Sequence, residues 1–173
     1  MDLVAPAAED VHVESHFTDS LLALDALPSE ARRLIDVGAG GGFPGMVWAL
    51  VRPDLEVVLA EPRGRRATFL RTVIRETGAE NALVAEERDE DLPAEGFDVA
   101  VSRATFPYEE WLPRGARLVR PGGVVLALLG RRDPAGLRAS EGRAGLEVEG
   151  IHSYELPTSG ARRRVVVLRR APA

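Results

Sequence analysis

The chain of 173 residues has no cysteine, and all 22 of its basic residues are arginines, with no lysine among them. Without cysteine there is no disulfide framework, no thiol nucleophile and no cysteine-bearing zinc site. Without lysine there is no Schiff base, no Tyr-x-x-x-Lys dehydrogenase and no P-loop. Long apolar runs are missing too. The longest, 46–51 and 124–129, have six residues each, against about 20 for a membrane span. The start, Met1-Asp2-Leu3-Val4, has neither a basic leader nor a long apolar stretch, so no secretion signal is expected. These absences predict a cytoplasmic protein with no membrane and no metal.

The composition is otherwise ordinary, 45% hydrophobic and 28% charged, which suits a single packed domain. Net charge is −5, unlike the average nucleic-acid binder. Arginines nonetheless cluster at 63–66, 131–132, 162–164 and 169–170, while acids gather over 86–95. The sum neither demands nor excludes an RNA partner.

Residues 1–15 have no clear period and read as a loose lead-in to a domain over 16–173. Short helices are expected over 19–27, 45–51, 63–77, 108–119 and 137–144. Gly78 is a natural cap for the third, and Pro113 sits awkwardly in the fourth. Short apolar runs over 32–37, 56–60, 82–85, 97–101 and 124–128 read as buried parallel strands, with a turn at 121–123 leading into the last. Two closing strands, 146–156 and 164–169, are joined by a turn over 157–160. Strands alternating with helices predict an α/β fold with a mostly parallel sheet and an antiparallel C-terminal hairpin.

The sharpest local feature is Asp36-Val37-Gly38-Ala39-Gly40-Gly41-Gly42-Phe43-Pro44-Gly45. Glycines between a first strand and a first helix let backbone approach a ligand at the carboxyl edge of the sheet. Gly40, Gly42 and Gly45 also satisfy G-x-G-x-x-G. Glu61 ends the second strand about 20 residues further on, where a carboxylate can accept both ribose hydroxyls of a nucleoside. Asp89-Glu90, after the third strand, is placed to flank an adenine. NAD(P) and S-adenosylmethionine both fit these features. The Asp-x-Gly-x-Gly form of the loop and the closing hairpin favour the methyl donor, and hydride transfer lacks a proton-handling partner. Neither a G-x-S-x-G nor a cluster of metal ligands is present.

From His16 onward the sequence resembles the GidB/RsmG family of bacterial enzymes that methylate guanine N7 in small-subunit (16S) ribosomal RNA. The resemblance rests on His16-Phe17-Thr18-Asp19-Ser20-Leu21, the glycine loop ending Phe43-Pro44-Gly45, and Gly64-Arg65-Arg66 followed by Phe69-Leu70. Ser102-Arg103-Ala104, Pro121-Gly122-Gly123 and the terminal Arg164-Val165-Val166-Val167-Leu168 complete it. It implies a doubly wound, seven-stranded Rossmann-like sheet of the class I S-adenosylmethionine-dependent methyltransferases. The family's cofactor contacts fall on Gly38, Phe43, Asp89, Glu90 and Arg103, beside Gly40 and Glu61. Gly38 would admit the methionine part to the backbone and Phe43 would give it apolar surface.

The family's Ala-Leu-Lys-Gly reads Ala127-Leu128-Leu129-Gly130 here, so restoring lysine at 129 is expected to raise activity on RNA. The resemblance identifies no catalytic acid or base, and the implied partner is ribosomal RNA or the small subunit. The alternatives are a diverged small-molecule methyltransferase, or a cofactor-binding protein without catalysis.

Overall fold

The computed structural model describes residues 12–130 and 142–172. Its centre is a seven-stranded sheet in the order β3-β2-β1-β4-β5-β7-β6. The strands are β1 (Arg33–Val37), β2 (Glu56–Ala60), β3 (Ala82–Ala85), β4 (Phe97–Ser102), β5 (Val119–Leu128), β6 (Leu146–Glu155) and β7 (Arg162–Arg170). The first five run parallel, and β7 inserts antiparallel between β5 and β6. Strand order reverses between β1 and β4, so their carboxyl ends open a crevice between diverging loops, where such sheets bind ligands.

Both faces of the sheet are covered, which is why β1, β2 and β4 read as almost unbroken apolar runs. Helices α1 (Asp19–Ala23), α2 (Gly45–Val51) and α3 (Gly64–Thr77) cover one face, with Leu34, Leu59, Val99 and Leu126 beneath them. Helix α4 (Tyr108–Leu118) covers the other through Trp111 and Leu112, packed over Ile35, Ala100 and Val125. Two indole N–H groups lock the layers. Trp48 Nε1 donates to Ser20 O at 2.7 Å and Trp111 Nε1 to Leu126 O at 3.0 Å. Helix α3 ends at Gly78, left-handed at φ 66° as its capping role requires. Pro113 is tolerated in α4 because the carbonyl it leaves unbonded belongs to exposed Glu109, open to water.

The N-terminal segment and the turn expected before β5 need comment. A π-helical turn, Val13–Thr18, runs straight into α1, so the division expected between residues 15 and 16 falls within one helical segment. The carboxylate of Glu14, 8% exposed, accepts the backbone N–H groups of Thr158 and Ser159 and ties this segment to the β6–β7 turn. Residues 121–123 lie inside β5, where the sheet absorbs an irregularity: Phe97 pairs Val119 but Val99 pairs Val124. Gly123 is needed there, since a Cβ would lie 2.8 Å from Arg120 O and 3.0 Å from Asp98 O. Of the helix expected over 137–144, only the 3-10 turn Gly142–Ala144 falls within the described residues.

Replacing a helical glycine by alanine ordinarily stabilises by about 0.5–1 kcal/mol. Gly115 in α4 should do the reverse, because a Cβ there would sit 2.7 Å from Cγ1 of fully buried Val125. Gly115→Ala is expected to destabilise by about 1–3 kcal/mol, read as a lower urea midpoint. A raised midpoint would show that α4 is not seated on β5 in this way.

Candidate functional site

The loop between β1 and α2 takes its shape from Asp36. This side chain is 1% exposed, and its Oδ2 accepts the backbone N–H of Gly45 at 2.8 Å. Gly45 must lack a side chain, since a Cβ would lie 2.7 Å from both that oxygen and Leu59 Cδ2. The other oxygen, Oδ1, is buried and has no hydrogen-bond partner. Burial therefore pushes the Asp36 carboxyl up to about 6, against the opposing pull of the Gly45 N–H and the Arg103 charge.

Gly38, Gly40, Phe43, Glu61 and Arg103 all line one cleft of about 580 Å³ beyond β1 and β2. Glu61 is 3% exposed at the end of β2. Its Oε2 accepts Gly40 N–H at 3.1 Å and its Oε1 accepts Arg63 N–H at 3.0 Å, which still leaves each oxygen a free lone pair. Asp89 and Glu90 line an adjoining space of about 440 Å³, sharing Gly38, Pro62, Arg63 and Thr105 with the first. The Asp89 carboxylate is engaged there: both its oxygens accept from Arg114 Nη1, at 3.0 and 2.9 Å.

Gly38, which lines the cleft, has a second reason for being glycine. Its φ is +72°, and a Cβ would lie 2.5 Å from Thr105 Oγ1, so the residue makes room for the loop after β4. That loop is held at its start, where Ser102 Oγ donates to Val37 O at 2.9 Å. Ala104 then takes a left-handed φ of 56°, which costs a non-glycine residue about 1–2 kcal/mol.

Arg103 lies between Ser102 and Ala104 and is fastened by the segment before β1. Its Nη1 donates to Ser15 O at 3.2 Å, and its Nη2 lies 2.9 Å from His16 Nδ1. Guanidinium nitrogens only donate, so Nδ1 must be the acceptor and the imidazole proton sits on Nε2. Burial, together with the charge of Arg103, lowers the His16 pKa and favours this neutral ring. The same imidazole stacks on Phe43 at 5.0 Å, and the Arg103 guanidinium lies 5.4 Å from the centre of that ring.

Arg103 also borders a second pocket of about 360 Å³ at the carboxyl ends of β4 and β5. Phe106, Trp111, Leu129, Tyr154, Arg163 and Arg164 help to line it. Reading the sequence assigned no role to His16, Asp19, Thr105, Tyr154 or Arg163. The His16-to-Leu21 motif was the available signal for the first two; Tyr154 and Arg163 lie on strands whose pattern gives none.

Leu129 is 2% exposed, packed in the core under α4 while also lining the second pocket, so a lysine there would add a useful cation only if its stem packed in place of the leucine and its ammonium group reached that pocket. Of the cluster at 63–66, Arg63 and Arg66 line the first cleft and Arg65 does not, while the arginines at 131–132 lie outside the described residues. Arg169 and Arg170 are structural, donating to Gly122 O and Val119 O and pairing with Glu149 and Glu95.

The raised pKa of Asp36 has a definite sign. The folded protein holds a proton on this carboxyl up to about pH 6, whereas the unfolded chain releases it near 3.8. Its contribution to stability therefore falls as pH rises between those values and is level above them. Stability differences between Asp36→Asn and the unaltered protein, measured by urea unfolding from pH 4 to 7, should move in favour of the variant by roughly 2–3 kcal/mol. A pH-independent difference would contradict the burial of a carboxyl at this position.

Comparison with known proteins gives the family and agrees on the fold. The sequence matches the GidB family, described as rRNA small subunit methyltransferase G, over residues 1–167. It is 38% identical over 169 residues to the ribosomal RNA small subunit methyltransferase G of Anaeromyxobacter dehalogenans (strain 2CP-C), covering 95% of this chain and 78% of that one. The protein of the same name from Myxococcus xanthus (strain DK1622) is 35% identical over 172 residues, covering 96% and 79%. Among solved structures, the mitomycin 7-O-methyltransferase MmcR has the same fold, with a TM-score of 0.74 at 20% identity over 90% of this chain and 54% of that chain. P. horikoshii TYW2, solved in complex with MeSAdo, superposes with a TM-score of 0.68 at 14% identity over 87% and 61%. The chain belongs to the GidB family, the rRNA small subunit methyltransferases G.

Proposed function

We propose that this protein transfers the methyl group of S-adenosylmethionine to N7 of a guanine in small-subunit ribosomal RNA. The observation that carries this reading is the meeting of two pockets at Arg103, one shaped for a nucleoside and one lined by aromatic and arginine side chains. The names of the relatives supply the ribosomal acceptor, and a ribosomal substrate puts the reaction in the cytoplasm. No described helix is long and apolar enough to cross a membrane, and no described group of acidic and histidine side chains is placed to hold a metal ion.

The cofactor-site chemistry fits the residues present. Glu61, desolvated and held from one side by two backbone N–H groups, keeps lone pairs for two vicinal hydroxyls, as a ribose offers. Phe43 gives apolar surface beside the glycine loop. Glu90 borders the adjoining space with a carboxylate about half exposed, able to accept from an exocyclic amine, and Asp89 stiffens that wall through Arg114.

S-adenosylmethionine supplies an electrophilic methyl on a sulfonium. In the reaction a bond forms from guanine N7 to that carbon as the carbon–sulfur bond breaks, so positive charge passes from sulfur to the purine. N7 is a neutral lone pair, hence no general base is required, and the protein's work is alignment and charge management. Arg103 is suited to orient the acceptor at the junction, because its planar fork presents several donors in fixed directions.

Labelled methyl transfer to small ribosomal subunits lacking native methylation should yield 7-methylguanosine. Label on another nucleoside, or none, would overturn the acceptor assignment. Arg103→Lys, which keeps charge but loses the fork, should cut turnover at least tenfold, whereas unchanged turnover would remove Arg103 from the site. Calorimetry should show Glu61→Ala losing about 1.5–3 kcal/mol of S-adenosylmethionine affinity. Equal or tighter binding of NAD by the unaltered protein would sink the cofactor.

A further inference from the structure

Asp19 is an acid of the His16-to-Leu21 motif that the proposed chemistry leaves without a task. It is 8% exposed, at the start of α1. Its Oδ1 accepts from the Tyr154 hydroxyl at 2.7 Å and lies 3.5 Å from Arg163 Nε, while its Oδ2 lies 3.9 Å from Arg103 Nη1. Strands β6 and β7 thus bring Tyr154 and Arg163 to a carboxylate contributed from the opposite end of the chain. Arg163 and Arg103 are each only 20% exposed at the side chain. Two guanidinium groups in such surroundings repel one another, and Asp19 is the acid seated between them.

We infer that Asp19 is a positioning residue of the methyl-transfer site, whose charge is shared by Arg103 on the cofactor side and Arg163 on the acceptor side. Tyr154 fixes its orientation. The inference rests on the S-adenosylmethionine reading above. Methyl transfer begins with a cation on sulfur and ends with one on the acceptor. Throughout, a positive charge must be tolerated beside two arginines; Asp36 also acts on Arg103, but Asp19 is the carboxylate that lies near both. Without it, the wall between the pockets would repel the cationic donor and the cationic product alike, while a neutral ligand of the same shape would be little affected.

That asymmetry gives a readout independent of turnover. S-adenosylmethionine carries the sulfonium charge; S-adenosylhomocysteine is the neutral thioether. In the full chain, Asp19→Asn keeps an acceptor for Tyr154 but removes the charge. The ratio of the dissociation constant for S-adenosylmethionine to that for S-adenosylhomocysteine should rise roughly fivefold, the order expected of one unit charge acting across a partly buried site. Arg163→Gln, which removes a positive charge from the same cluster, should move the ratio the other way. Arg169→Gln, where the arginine pairs with Glu149 on β6, should leave it unchanged.

A merely structural role would weaken both ligands together and could not give opposite signs in the two variants. A ratio unmoved by both Asp19→Asn and Arg163→Gln, with both ligands bound, overturns the role of Asp19 and leaves the cofactor reading standing. If Asp19→Asn does not fold, Arg163→Gln decides alone. Failure of the unaltered protein to bind either ligand sinks the cofactor reading, and this inference with it.

Discussion

A buried carboxylate is costly unless something holds it, and Asp36 is held through one of its oxygens. The rest of the site depends on that contact. It seats the start of α2 against the end of β1, and it can do so only because Gly45 brings no Cβ into the gap. With α2 fixed there, the five residues 38–42 have a short path to close. Left-handed turns at Gly38, Gly40 and Gly42 close it. The path ends with the Gly40 N–H on Glu61, linking the tips of β1 and β2. One unfavourable burial thus sets the geometry of the first cleft, and the side chain keeps a polar atom in reserve beneath it.

The half of the domain from β1 to β3 was legible in the sequence almost to the residue. Short apolar runs, a glycine cluster and a 3.6-residue period in α3 all point the same way there. Proline and glycine misled at residues 121–123, because a strand can hold such residues when an irregularity in the ladder absorbs them. The helical turn over 13–18 went unread for a different reason. Residues 13–18 have little periodicity, yet Glu14 is clasped by backbone donors from a turn more than 140 positions away, and no local pattern reports that.

The site divides along the same line. The residues proposed for the cofactor come mainly from the loops after β1, β2 and β3, where a known spacing points to the chemistry. Arg103 could be named only through a family triplet, and its fastening by Ser15 and His16 could not be named at all. Leu129 shows the converse: its position beside a known motif suggests a lost charge, and the sequence gives no sign that it is also packed in the core under α4. Spacing along a chain finds groups that one loop presents together; it does not find groups that two distant segments bring face to face.

The clasp between Glu14 and the β6–β7 turn also bears on synthesis at the ribosome. A nascent chain exposes the glycine loop, β2 and α3 early, and these can pair as they emerge. The segment bearing Glu14, His16 and Asp19 must wait for Tyr154 and residues 158–163 before it has anything to close upon. The wall around Arg103 is thus completed only when β7 is present. A chain lacking residues 154–163 would leave Glu14 and Asp19 without these partners, and the pocket beside Arg103 half built.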